Sequence, residues 1–122
     1  ILSALFDDAG ILQGIRAVSD PRAGLDQRRY AYLMRIPITA RYGRAGWECV
    51  DLQAEDGETD VGGMFVKQRC TKVVPDEKRL NLATNLFRKR GQDGLDDLGK
   101  FKAGDFESSA RFEIFGLNVP QI

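Results

Sequence analysis

All three tyrosines of the chain, Tyr30, Tyr32 and Tyr42, and its only tryptophan, Trp47, fall in one stretch, RRYAYLMRIPITARYGRAGW (residues 28–47), with five arginines and no acid. Rings and guanidinium groups are what a single strand of nucleic acid requires: bases stack on the rings, and phosphates meet cations along the same groove. Tyr30, Tyr32, Arg35, Arg41, Arg44 and Trp47 form that candidate surface, with Lys67 added if a later strand lies alongside. The same spacing supports a plainer reading. Tyr30, Tyr32, Met34, Ile36, Ile38, Ala40 and Tyr42 fall on one side of a two-residue alternation, with Arg29, Arg35, Thr39 and Arg41 on the other. That is the rhythm of a half-buried strand, with rings facing a core and guanidinium groups facing water. Rings and cations would then lie on opposite faces. A bulge at Pro37 would shift the register and bring Arg41 to the side of Tyr30 and Tyr32. The solvated strand is the preferred reading.

Histidine is absent from the sequence. Its loss removes nucleophile–histidine triads, zinc sites of the usual kinds and histidine proton relays, so catalysis would have to run on carboxylates, lysine, cysteine or a bound cofactor. The acidic run DLQAEDGETD, with Asp51, Glu55, Asp56, Glu58 and Asp60, does not fit a calcium loop. Gly57 would have to be its sixth residue, which puts Leu52 in the first ligand position. It reads as a solvated hairpin tip, and no metal site is assigned. Asp96 and Asp97 have no arranged partner, Gly62-Gly63 is too short for a phosphate loop, and GRAG lacks the lysine of one. The chain is therefore expected to be no enzyme, with no catalytic residues and no cofactor. Cys49 and Cys70 fall nearly opposite one another if the strands that carry them pair about a turn near Thr59 and Asp60. A disulfide between them is one outcome, and two reduced, buried cysteines are the other.

These residues need elements to position them. A strand is predicted over residues 11–18, ending in the turn cluster Ser19-Asp20-Pro21, while residues 2–10 read as either a helical turn or an unsupported arm. The strand over 29–42 contains Pro37, which cannot donate to a ladder and so marks an edge or a bulge. Further strands are predicted over 47–55 and 61–74, separated by a DGETD turn. Met64, Val66, Cys70 and Val74 share a face of the second. In PDEKRLNLATNLFRKRG, acids at the start, Leu80, Ala83, Leu86 and Phe87 at helical spacing, and Arg88, Lys89 and Arg90 before Gly91 predict a helix over 76–90. Residues 92–108 are polar and glycine-rich with a short strand at KFKAG, and 110–119 form a closing strand with a bulge at Gly116.

The order predicts a single α+β domain over residues 1–122: an antiparallel β-meander, or a small partly open β-barrel, with one helix packed on it. The OB fold has a related order, an analogy of topology that carries no functional residues. Eighteen basic groups balance eighteen acidic ones, with 7 against 10 in residues 1–61 and 11 against 8 in residues 62–122. No apolar run approaches the roughly 20 residues of a membrane span, and no compartment is assigned. The functional expectation is a non-catalytic interaction or assembly module, a subunit or accessory component of a larger protein complex, acting through the sheet edge at Pro37 and the segment 92–108. The alternative is an OB-like barrel that binds single-stranded nucleic acid through the arginine–tyrosine surface, and a third reading is a small barrel around an apolar ligand. Other protein subunits are the expected partners, with nucleic acid as the alternative.

Overall fold

The computed structural model describes residues 1–20, 22, 30–75, 78–89 and 106–116. Within them, strands β1 (Leu2–Phe6), β2 (Leu12–Val18), β3 (Glu48–Asp51), β4 (Glu58–Thr59), β5 (Val66–Val74), β6 (Lys78–Lys89) and β7 (Phe106–Gly116) form one open antiparallel sheet. The order across it is β1-β2-β7-β6-β5-β3, and β4 pairs with the far end of β6. A 3-10 turn, Ala31–Met34, runs into a short helix α1, Arg35–Tyr42, the one α-helix among the described residues. The chain is a β-rich α+β fold.

Two predicted elements exchange their secondary structure. The segment 76–90, expected as a helix, contributes the central strand β6. Leu80, Leu82, Thr84 and Leu86 face one side of it, Ala83 and Phe87 the other, and all six are buried. A strand flanked by neighbours and buried at positions on both faces carries apolar residues in both phases, and Leu80, Leu82 and Leu86 with Ala83 and Phe87 also contain a helical spacing. Arg88 and Lys89 end this strand, so there is no helix dipole for them to complement; Arg90 lies outside the described residues.

The segment expected as a strand over 29–42 is helical from Ala31 onward. Its alternation contains a second pattern, Met34, Ile38 and Tyr42 at four-residue steps, and these are the side chains that pack on the core. Pro37 stands third in α1, in the first turn, where amides lack intrahelical acceptors and proline is tolerated. It marks neither a sheet edge nor a bulge. The helix stops at Gly43, whose φ of 90° suits glycine and strains other residues. Its last carbonyls are occupied: Lys72 Nζ donates to Tyr42 O at 2.5 Å, and Trp47 Nε1 donates to Gly43 O at 2.8 Å. A cation at a helix C-terminus also meets the negative end of the dipole.

Other boundaries shift less. Residues 2–10, left between a helical turn and an arm, form β1 and its turn into β2, where Asp7 Oδ1 accepts the amides of Ala9 and Ile11 at 2.9 Å each. The strand expected over 47–55 is confined to Glu48–Asp51, and Glu58–Thr59 of the expected turn pairs as β4. Phe106–Ser108, expected as loop, belongs to β7, which ends at Gly116. The KFKAG strand and residues 117–119 lie outside the described residues.

The core is on the face that carries α1. Cys70 of β5, Leu80 and Leu82 of β6 and Phe112 of β7 form a buried cluster, and Met34, Ile38, Tyr42, Trp47, Val74 and Ile114 pack against it. Each large apolar side chain so buried contributes about 1.5–3 kcal/mol. Tyr42 and Phe112 stack tilted at 5.6 Å between ring centroids. The opposite face is polar: Arg69 donates to Asn85, Asn85 to Ser109, Thr71 to Asn81, and Arg16 pairs with Glu113.

Candidate functional site

The seven residues of the candidate nucleic-acid surface are divided between the two faces. Tyr30 is exposed at the start of the 3-10 turn, and the Tyr32 amide donates to Ser108 Oγ at 3.4 Å. Arg35 opens α1 on its exposed side, Arg41 lies over the Tyr42 ring at 5.4 Å, and Arg44 is exposed in the loop beyond. Trp47 packs on the core, with Lys72 Nζ 5.9 Å from its ring centroid. Lys67 alternates with Cys70 along β5 and so lies on the polar face, away from the helix. Its ammonium is 2.9 Å from Glu58 Oε1 and 5.5 Å from the Phe87 ring centroid. One groove lined by all seven residues is not what the chain builds.

The acidic run is spent on local structure. Glu58 Oε1 accepts the Glu55 amide as well as Lys67, and Asp60 Oδ2 accepts the Gly63 amide at 2.7 Å. Among the described residues no group of three or more acids or cysteines could hold a metal ion. Cys49 and Cys70 are a register pair of β3 and β5 and are joined by a disulfide. The Leu52 amide donates to Lys67 O at 2.7 Å, which places the hydrogen-bonded pairs at Leu52–Lys67 and Val50–Arg69. Cys49–Cys70 is then a non-hydrogen-bonded pair, the kind whose side chains approach most closely.

With Pro37 in a helix, the sheet edges lie elsewhere. One is β3, four residues long, bearing Glu48 and Asp51 and tied to β5 by the disulfide. Short, charged edge strands resist pairing with other chains. The other is β1, Leu-Ser-Ala-Leu-Phe, which has neither charge nor proline. Val18 donates to the Ile1 carbonyl at 2.8 Å, so the backbone groups of Ile1, Ser3 and Leu5 turn toward β2. Those of Leu2 and Ala4 turn to the open side. Apolar side chains gather at the same place: Leu2 is 75% exposed and Phe6 62%, with Ile11, Leu12 and Ile15 exposed beside them. An edge of this composition offers a ladder of donors and acceptors, with apolar contacts along one face.

The sequence contained a signal for this hairpin. Two apolar runs, ILSALF and ILQGIRAV, are separated by Asp-Asp-Ala-Gly, a turn composition.

Fold and edge together define a β-rich α+β protein built on an open antiparallel sheet, whose β1 edge is uncovered among the described residues. No helix among the described residues is long and apolar enough to cross a membrane. No protein-family model, curated protein or solved structure matches the chain.

Proposed function

We propose that the chain is a non-catalytic interaction or assembly module, a subunit or accessory component of a larger protein complex, in which β1 accepts an extended segment of a partner polypeptide as an added strand. The observation that carries the reading is the open side of β1, where the backbone groups of Leu2 and Ala4 face outward next to exposed Leu2, Phe6 and Ile15. Partner backbone would supply the hydrogen bonds, and alternate apolar side chains of the partner would cover the exposed residues.

The test is a panel of displayed extended peptides, half with apolar residues at alternate positions and half with the same residues scrambled. The alternating peptides are expected to bind and to shift the amide resonances of Leu2 and Ala4. Ala4→Pro should abolish binding while preserving the fold, because proline is accepted on an edge strand where the lost amide faced solvent. Peptides that bind without moving those two amides, or that bind Ala4→Pro equally well, would overturn the reading.

A further inference from the structure

The polar face of the sheet holds a second feature, away from β1. Register places Arg69 of β5 and Arg111 of β7 on either side of Ala83 of β6. The next row along the strands is Thr71, Asn81 and Glu113, and the row beyond it pairs Arg79 with Phe115. Neighbouring strands are about 4.8 Å apart, so the two flanking arginines spring from positions about 10 Å apart, with the smallest side chain of the row between them. The result is a groove of about 580 Å³, with Arg69, Arg79 and Arg111 in its walls and Ala83, Asn81 and Phe115 along its floor.

The charges of this groove are not balanced from within. Glu113, the buried acid on its floor, pairs with Arg16 at 2.6 Å and with Arg111 Nε at 3.9 Å, so one carboxylate is shared between two guanidinium groups. Arg69 Nη1 donates to the Gln68 carbonyl and to Asn85 Oδ1, both at 2.9 Å and both neutral. Among the described residues, Arg79 has no ion-pair partner. Glu48, on the rim, is the only other acid in the lining. Lys67 and Glu107 lie further along the same face, and Lys67 is already paired with Glu58.

Burial lowers the pKa of Arg69, the Arg111 charge lowers it further, and Glu107 opposes them. Arg69 is half-buried and Arg111 is exposed, and like charges held side by side repel until an anion joins them. A guanidinium presents a planar fork of donors that matches a phosphate or carboxylate two bonds at a time.

We propose that this groove binds a small organic oxyanion, a phosphate or a carboxylate, gripped between Arg69 and Arg111 with Arg79 at its far end. The size is that of a small-molecule site, and Ala83 and Phe115 offer an apolar floor for the body of the ligand. Asn81 and Thr71, whose hydroxyl donates to Asn81 Oδ1, line the groove beside the expected position of the anion.

The test is calorimetric titration of the intact chain at low salt with phenyl phosphate, benzoate and the uncharged benzyl alcohol, and in parallel with a short single-stranded oligonucleotide. Saturable binding of phenyl phosphate, benzoate or both is expected, the two arms showing which oxyanion is preferred, with no binding of benzyl alcohol. Arg69→Gln and Arg111→Gln should each weaken binding by about tenfold or more, as the loss of a charge-assisted hydrogen bond implies. Ala83→Val should weaken it without removing a charge, by filling the floor. Absence of saturable binding to both anions, affinity unchanged in the two glutamine variants, or binding of the oligonucleotide alone would overturn the proposal. The β1 edge takes no part in any arm, so a failure here leaves the strand-addition reading standing, and the reverse.

Discussion

Cys49, exposed on the outermost strand β3, sits directly across from Cys70, buried in the core cluster, and the disulfide between them ties the charged edge of the sheet to its centre. β3 has only four residues and a neighbour on one side, so pairing alone holds it weakly. The bridge closes a loop of 21 residues. Restricting a loop of that length in the unfolded chain stabilises the fold by about 3 kcal/mol. Cys49→Ala, or reduction of the native protein, should lower the unfolding free energy by that amount. Urea unfolding with and without reductant measures it, and a variant whose midpoint matches that of the oxidised protein would show that the bridge holds nothing.

Gly14 of β2 lies against the Phe115 ring. A Cβ built at Gly14 would be 2.5 Å from Phe115 Cδ1 and 2.6 Å from the Ile114 carbonyl oxygen, and the backbone oxygen cannot move aside as a side chain can. Gly14→Ala should therefore destabilise the protein by about 1–3 kcal/mol, in the range of overpacked interiors. Denaturant unfolding reads the change. An unaltered midpoint would mean that β2 and β7 are further apart than their register implies.

Asp20 sets a pH dependence at the end of β2. Its carboxylate accepts the Arg22 amide at 2.8 Å and lies 3.3 Å from Arg22 Nε. The backbone hydrogen bond, more than the guanidinium, holds its pKa below the ordinary value of 3.8. A carboxylate whose pKa is lower folded than unfolded contributes stability that is present above the unfolded value and lost as pH falls through the folded one. The loss should thus appear only in acid, below about pH 4. An NMR titration of the Asp20 carboxyl carbon should give a midpoint below 3.8, and Arg22→Ala should move it only partway back, since the amide remains. A midpoint at or above the ordinary value would contradict the hydrogen bond.

Much of the sheet was legible from local pattern. Residues 11–18 form a short apolar run closed by a turn cluster, residues 61–74 place Met64, Val66, Cys70 and Val74 on one face, and β2 and β5 lie within them. The partnership of Cys49 and Cys70 follows from pairing two strands about a turn near Thr59 and Asp60. The two reversed elements were not legible, for a specific reason. Tyr30 to Tyr42 carries both a two-residue and a four-residue apolar rhythm, and Lys78 to Lys89 carries apolar residues in every phase. A pattern compatible with both periods does not say which hydrogen bonds the backbone will make.

The candidate sites divide along the same line. Which residues bear charge, ring or thiol, and that histidine chemistry is missing, belong to the sequence alone, because composition needs no neighbours. That Lys67 lies on the face away from Trp47, that Arg69 and Arg111 flank Ala83, and that β1 rather than the Pro37 segment is the open edge were decided by strand order. Residues far apart in the chain meet there only because β7 inserts between β2 and β6. Burial on both faces then made a strand of a sequence that local spacing alone would have allowed to be a helix, since a central strand satisfies its backbone on both sides and covers its apolar residues in either phase.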